Sequence, residues 1–233
     1  MQFLKKNKKN PFGPSKLLYF LCILTAELNH ETQKNCAKTL IMNNIAIFAS
    51  GSGTNAENIM RTFQNHPFIK VKLVLSNKKD AKVLDRARKF NVRTLVFNKE
   101  ELYHTDIVLQ TLQNEQISFI ILAGFLWLVP ENILRQYPNK IINIHPALLP
   151  AYGGKGMYGE KVHEAVIANH ETESGITIHY VNSEYDRGEI IFQARCPVFP
   201  DDTPETLAER VHQLEYRHYP EVIEKLLSNK SSS

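Results

Sequence analysis

From Ile45 to His145 the chain repeats one pattern: a short apolar run, a turn, then apolar residues at helical spacing. The runs are Ile45 to Ala49, Val71 to Leu75, Val92 to Phe97, Phe119 to Ala123 and Lys140 to His145, each of strand length. Between them, Ile59, Met60 and Phe63, then Leu84, Ala87 and Phe90, then Ile107, Leu109 and Leu112 mark helix faces, and Pro130 opens a short helix. Alternation sustained over four steps restricts the chain to an α/β fold, a doubly wound and mostly parallel sheet with helices on both faces. Phe119 to Ala123 is apolar at every position, as a parallel strand covered on both sides requires. After residue 151 the pattern changes. A Gly-rich loop leads to a short helix (Glu160 to Asn169), then to two strands, Gly175 to Val181 and Glu189 to Pro197, close enough to form an antiparallel pair. A C-terminal amphipathic helix runs from about Pro204 to Leu227, and no internal repeat is visible.

The formal net charge of +4 is unevenly spread. Residues 1–41 hold seven Lys, no Arg and two Glu, or 7 − 2 = +5, so the remainder carries 21 − 22 = −1. A near-neutral body gives no whole-domain signal for nucleic acid. Cys22, Cys36 and Cys196 lie far apart with neither CxxC nor metal spacing, which argues against a disulfide framework or a metal site and for a reducing, cytoplasmic setting. Lys5, Lys6, Lys8 and Lys9 followed by the apolar run Leu17 to Ala26 resemble a targeting segment, but ten residues fall short of the roughly 20 needed to span a bilayer as a helix. A strand begins right behind Met42. The expected organisation is therefore an extension (1–41) outside the fold, either upstream of the working protein or a genuine targeting tail, one domain (42–228) and a flexible tail (229–233), with no membrane partner.

The first strand runs into Ser50-Gly51-Ser52-Gly53-Thr54-Asn55-Ala56. Glycines let such a loop bring backbone N–H groups against an anion, and the helix that follows adds its positive end. The same residues fit a dinucleotide fingerprint, which wants an acidic residue at the end of strand two; Ser76-Asn77-Lys78-Lys79 stands there instead. A phosphate site is the better reading, and a tight turn without a ligand is the bland one.

Strand five ends Ile142-Asn143-Ile144-His145-Pro146. Alternation puts Asn143 and His145 on one face and the two isoleucines on the other, and Pro146 stops the strand at the end where open α/β sheets bind ligands. An amide beside an imidazole suits an oxyanion formed when an amine attacks an acyl carbon. A lone His there would more often cap the strand; an Asn and a His two apart point to chemistry.

The segment Asn143-Ile144-His145-Pro146-Ala147-Leu148-Leu149-Pro150 resembles the signature of folate-dependent formyltransferases. Ser50-Gly51-Ser52-Gly53-Thr54-Asn55, Leu122-Ala123-Gly124-Phe125 and Glu184-Tyr185-Asp186-Arg187-Gly188 resemble the same family in the same order, from Met42 to about Leu227. The likeness implies a Rossmann-like formyltransferase fold. It also implies direct transfer from 10-formyltetrahydrofolate, a co-substrate, to the amine of a phosphoribosylated glycinamide, without a metal. Asn143, His145 and Asp186 would be catalytic, with Asp186 holding His145 in its charged form and helping relay a proton through water. Gly53, Thr54, Asn55 and Glu215 would bind the phosphorylated substrate. Leu126, Trp127, Leu128 and Val129, with Asn143, would meet the pterin. The loop around Met157 is either a mobile lid or a disordered connection, and His163 and His179 are read as structural. On residue type alone Asp186 is a turn residue, Glu215 a solvated helix carboxylate and Trp127 core packing.

Two departures stand out: Asn98-Lys99-Glu100-Glu101 lies where relatives often carry an Arg, and the lid loop is longer than usual. Partners implied are small molecules only, acting on a monomer or homodimer. A hydrolase of the same family would carry a further domain ahead of the first loop, and a tRNA-formylating relative would want a basic face. A nucleotide-binding oxidoreductase or sensor would leave Asn143, His145 and Asp186 unexplained.

Overall fold

The computed structural model describes residues 42–228; the expected extension (1–41) and tail (229–233) lie outside the described residues. The five runs of the repeating pattern become β1 (Asn43–Phe48), β2 (Ile69–Ser76), β3 (Arg93–Val96), β4 (Phe119–Leu122) and β5 (Ile141–His145). The late pair is β6 (Glu173–Tyr180) and β7 (Ile190–Pro197). Helices α1 (Thr54–Phe63), α2 (Lys82–Lys89), α3 (Lys99–Tyr103), α4 (Ile107–Asn114), α5 (Glu131–Gln136), α6 (Glu160–Ala168) and α7 (Pro204–Ser228) fill the connections and the C-terminal end. The strands form one sheet in the order β3-β2-β1-β4-β5-β6-β7, parallel through β5 and antiparallel for the last two pairings. The chain therefore winds outward from β1 to β3, then returns to place β4 on the other side of β1. That reversal opens a crevice at the carboxyl ends of β1 and β4.

Strand alternation divides the core in two. Ile45, Ile47, Ile121, Ile142 and Ile144 face α1, α2, α6 and α7, while Ala46, Phe48, Ile120, Leu122 and Ile141 face α3, α4 and α5. Central strands buried on both faces can be apolar throughout, which is why they were legible as continuous runs. Helix α3 was not anticipated. Its five residues are too few to show a period, but a capping box starts it: the Asn98 side chain accepts from the Glu101 N–H, and the Glu101 carboxylate accepts from the Asn98 N–H. The departure at Asn98–Glu101 is thus a helix start. Phe90 was expected on the buried face of α2, but it only ends that helix, half-buried, and Val83 completes the face. Among the described residues no helix is long and apolar enough to cross a membrane.

Helix α7 lies across the sheet and is held there by a fully buried tyrosine. The Tyr219 hydroxyl donates to the carbonyl of Leu122, 2.8 Å away at the end of β4, with the Ile142 carbonyl of β5 at 3.3 Å. Burial pushes its pKa well up, so the hydroxyl keeps its proton and stays a donor. Tyr219→Phe leaves these buried carbonyls without their donor and should lower unfolding stability by about 1–2 kcal/mol in urea titration. An unchanged midpoint would show that α7 is held by packing alone.

Candidate active site

Segments far apart in sequence converge on a cavity of about 860 Å³ at the carboxyl ends of β1, β4 and β5. The first wall is the loop after β1. Gly53 is the residue before α1, at φ 72°, and a Cβ there would lie 2.4 Å from Val83, so both conformation and space demand glycine. The loop is fixed from behind by Val83 N–H to the Gly51 carbonyl and Arg86 Nε to the Ser52 carbonyl. No side chain caps α1, which leaves its first N–H groups to face a ligand beside Thr54, Asn55 and Lys78. Ser50 ties this loop to the one after β4: its N–H donates to the Gly124 carbonyl, and its Oγ accepts from the Leu126 N–H.

The floor is built by β5 and β6. Their antiparallel register sets Asn143 opposite His179 and His145 opposite Thr177. The Tyr180 carbonyl can only accept, so His179 donates to it from Nδ1 (2.8 Å) and receives the Asn143 amide at Nε2 (3.1 Å). His145 likewise donates from Nε2 to the Tyr152 carbonyl (2.7 Å), leaving Nδ1 directed at Asp186 Oδ2, 3.6 Å away. Asp186 arrives from the loop after β6, which folds back across the sheet. Gly188 permits that return, since a Cβ there would lie 1.6 Å from the Tyr180 carbonyl oxygen. Asp186 itself sits at φ 54°, the left-handed region that Asp tolerates better than most residues. It accepts the Gly154 N–H (2.9 Å), approaches the Asn143 amide (3.4 Å) and lies 3.5 Å from His179.

Burial and charge compete here. Burial raises the Asp186 pKa, but His179, His145 and the Gly154 N–H together outweigh it and leave the carboxyl below its ordinary value. For His145 the balance falls the other way: burial lowers its pKa by more than Asp186 raises it. The expected role of Asp186, to hold His145 in its charged form, is thus opposed by the burial of the ring, which is 3% exposed.

The third wall is α7. Glu215, expected from its residue type to be solvated, is buried; its Oε2 accepts from Asn55 Nδ2 (2.9 Å) and pairs with His212 Nδ1 (2.7 Å). The Glu215 hydrogen bond raises the His212 pKa against the opposing effect of burial. Asn143, His145, Asp186, Gly53, Thr54, Asn55 and Glu215 thus all border one cavity, as does Met157 in the Gly-rich loop. Of the four residues expected to meet the pterin, Leu126 to Val129, only Leu126 does so, next to Ala123, Gly124 and Phe125. Trp127 packs in an aromatic group with Phe97, Tyr103 and Phe125 under Lys99, Val129 is buried in the core, and the Leu128 carbonyl accepts the Tyr103 hydroxyl. His179 and His163, read from the sequence as structural, both lie at the site, His179 against Asn143 and Asp186 and His163 in the cavity lining. Alternation in Ile176-Thr177-Ile178-His179 mirrors that of Ile142 to His145 and could have flagged the first. Among the described residues no three His, Cys, Asp or Glu side chains are grouped to hold a metal ion.

Residues 43–223 match the model of the formyl transferase family. The chain is 41% identical over 185 residues to the chloroplastic phosphoribosylglycinamide formyltransferase of Arabidopsis thaliana, an alignment that covers 77% of this chain and 63% of that protein's length. It is 35% identical over 191 residues to the phosphoribosylglycinamide formyltransferase of Bacillus subtilis, covering 80% of this chain and 95% of that protein. The crystal structure of phosphoribosylglycinamide formyltransferase from Bacillus halodurans superposes with a TM-score of 0.72 at 37% identity, over 80% of this chain and 96% of that one.

His163, on α6 and 2% exposed, has its pKa lowered to about 4, first by burial and then by the charge of His212. The unfolded chain takes up a proton near pH 6.5 and the folded one only near pH 4, so acidification across that window favours unfolding. The expected loss approaches about 1.4 kcal/mol per pH unit per such group. Urea midpoints from pH 7 to 4 should fall less steeply in His163→Leu than in the parent. Parallel slopes would mean that His163 titrates alike in both states.

Proposed function

The chain belongs to the formyl transferase family, and on that premise we propose that it transfers the formyl group of 10-formyltetrahydrofolate to the amine of 5-phosphoribosylglycinamide, a step of purine synthesis. The observation that carries the reading is the meeting of Asn143 and His145 on β5 with Asp186 from the loop after β6, whose carboxylate lies 3.4 Å from the Asn143 amide and 3.6 Å from His145 Nδ1. The cavity volume suits two small-molecule substrates meeting end to end. Gly53, Thr54 and Asn55 take the ribose phosphate at the uncapped end of α1, with Lys78 adding positive charge. Glu215 holds the substrate between that end and the reacting amine. Leu126 borders the pterin, with Trp127, Leu128 and Val129 packed next to it in the same loop, and Asn143 reaches the formyl end.

In the transfer, the substrate amine forms a bond to the formyl carbon while the carbonyl electrons move to oxygen. One Asn143 amide hydrogen is committed to His179. The other, only 3.4 Å from Asp186, turns to the developing oxyanion. His145 is poised rather than permanently charged. Burial holds its proton affinity down and Asp186 raises it, so the new negative charge on the substrate tips the ring towards imidazolium. The bond to folate N10 then breaks with its electron pair on nitrogen, and the proton shed by the amine reaches N10 through Asp186 and water. No covalent enzyme intermediate is required. We place the protein in a reducing, cytoplasmic setting, acting as a monomer or homodimer.

Purified protein should release deformylated folate only when phosphoribosylglycinamide is present, and His145→Ala should lower kcat by about 10²–10³ with a smaller change in KM. Folate turnover without the amine would point to a hydrolase. Absence of any folate turnover would leave the first loop as a nucleotide-binding feature.

A further inference from the structure

Four buried polar side chains line the cavity: Ser50, His145, His163 and Glu215. The protein satisfies three of them. Ser50 accepts the Leu126 N–H, His145 donates to the Tyr152 carbonyl, and Glu215 is held by Asn55 and His212. His163 has no such partner. Its Nδ1 is buried and unpaired, and no hydrogen bond reaches the ring from any described residue. Buried polar groups are nearly always paired, because stripping water from one without replacement is unfavourable. Val162 and Val166 on the same helix are buried as well, and His163 is the one polar side chain among its buried residues. Across the cavity Asn55 Oδ1 is also buried and unpaired, although its Nδ2 is engaged by Glu215.

We infer that His163 is a substrate-binding residue whose ring, together with Asn55 Oδ1, takes the ribose hydroxyls of the phosphoribosyl substrate; this rests on the function proposed above. Its chemistry and its place both select that part of the molecule. Burial and the neighbouring His212 hold the ring uncharged, with one donor and one acceptor, so it suits a hydroxyl and not a phosphate. Its electrostatic neighbours are His212, Glu215 and His145, which sets it between the phosphate loop and the reaction centre. The sugar must lie there if the phosphate is at Gly53–Asn55 and the amine at His145.

The test compares the parent protein, His163→Leu and His163→Gln at pH 7.5. Melting temperature is measured, along with calorimetric affinity for phosphoribosylglycinamide and for its 2′- and 3′-deoxyribosyl analogues. His163→Leu should melt no lower than the parent, since no internal hydrogen bond is lost, yet bind the substrate about 10- to 100-fold more weakly. It should also lose the parent's preference for the ribose over at least one deoxy analogue, and His163→Gln should recover part of both. A Leu variant that binds as the parent does, or that keeps the full ribose preference, overturns the inference. If it does not fold, the Gln variant decides by whether the ribose preference is altered or intact. Parent protein that binds no phosphoribosylglycinamide would instead overturn the proposed function itself.

Discussion

Strand β6 runs against β5 in a register that sets Asn143 beside His179 and His145 beside Thr177, and the site is organised by that pairing. Both strands turn isoleucines to the helices on one side and polar groups to the other. A polar strip of this kind is tolerable only if its groups satisfy one another. His179 accepts the Asn143 amide, and Thr177 accepts the Leu149 N–H while donating to the Ala147 carbonyl, which fixes the turn that follows His145. Gln193 on β7 adds a donor to the Leu149 carbonyl and to Thr177 Oγ1. The loop after β6 closes over this strip and delivers Asp186 to it.

The opposite wall depends on one long helix. Tyr219 anchors α7 to the carbonyls of β4 and β5, and Glu215 lies one turn earlier on the same face, so the anchor and the carboxylate share one rigid element. A buried carboxylate needs partners. Asn55 and His212 supply them, and through Asn55 the helix is bonded to the loop that follows β1. Sites placed on packed elements in this way hold their geometry better than sites on free loops. The Gly-rich segment between β5 and α6 is different: Tyr152, Gly154, Gly156 and Gly159 all have positive φ, and it touches the polar strip through the Tyr152 carbonyl and the Gly154 N–H.

The repeat of apolar runs and helical faces determined the doubly wound sheet, because strands buried on both sides must be apolar and helices between them must be amphipathic. Alternation around Asn143 and His145, together with Pro146 as a stop, also told which end of the sheet would carry chemistry. Those signals are local, and a linear reading can find them. Asp186 and Glu215 were named only through likeness to a family, since an Asp in a turn and a Glu on a helix look ordinary by themselves. What the tertiary structure alone decided is non-local: the register that pairs His179 with Asn143, the docking of α7 that buries Glu215, and the packing of Trp127 away from the cavity. It also decided that burial outweighs Asp186 at His145 and leaves His163 Nδ1 without a hydrogen-bond partner among the described residues. Desolvation and hydrogen bonding depend on which atoms meet in space, and no spacing along the chain records that.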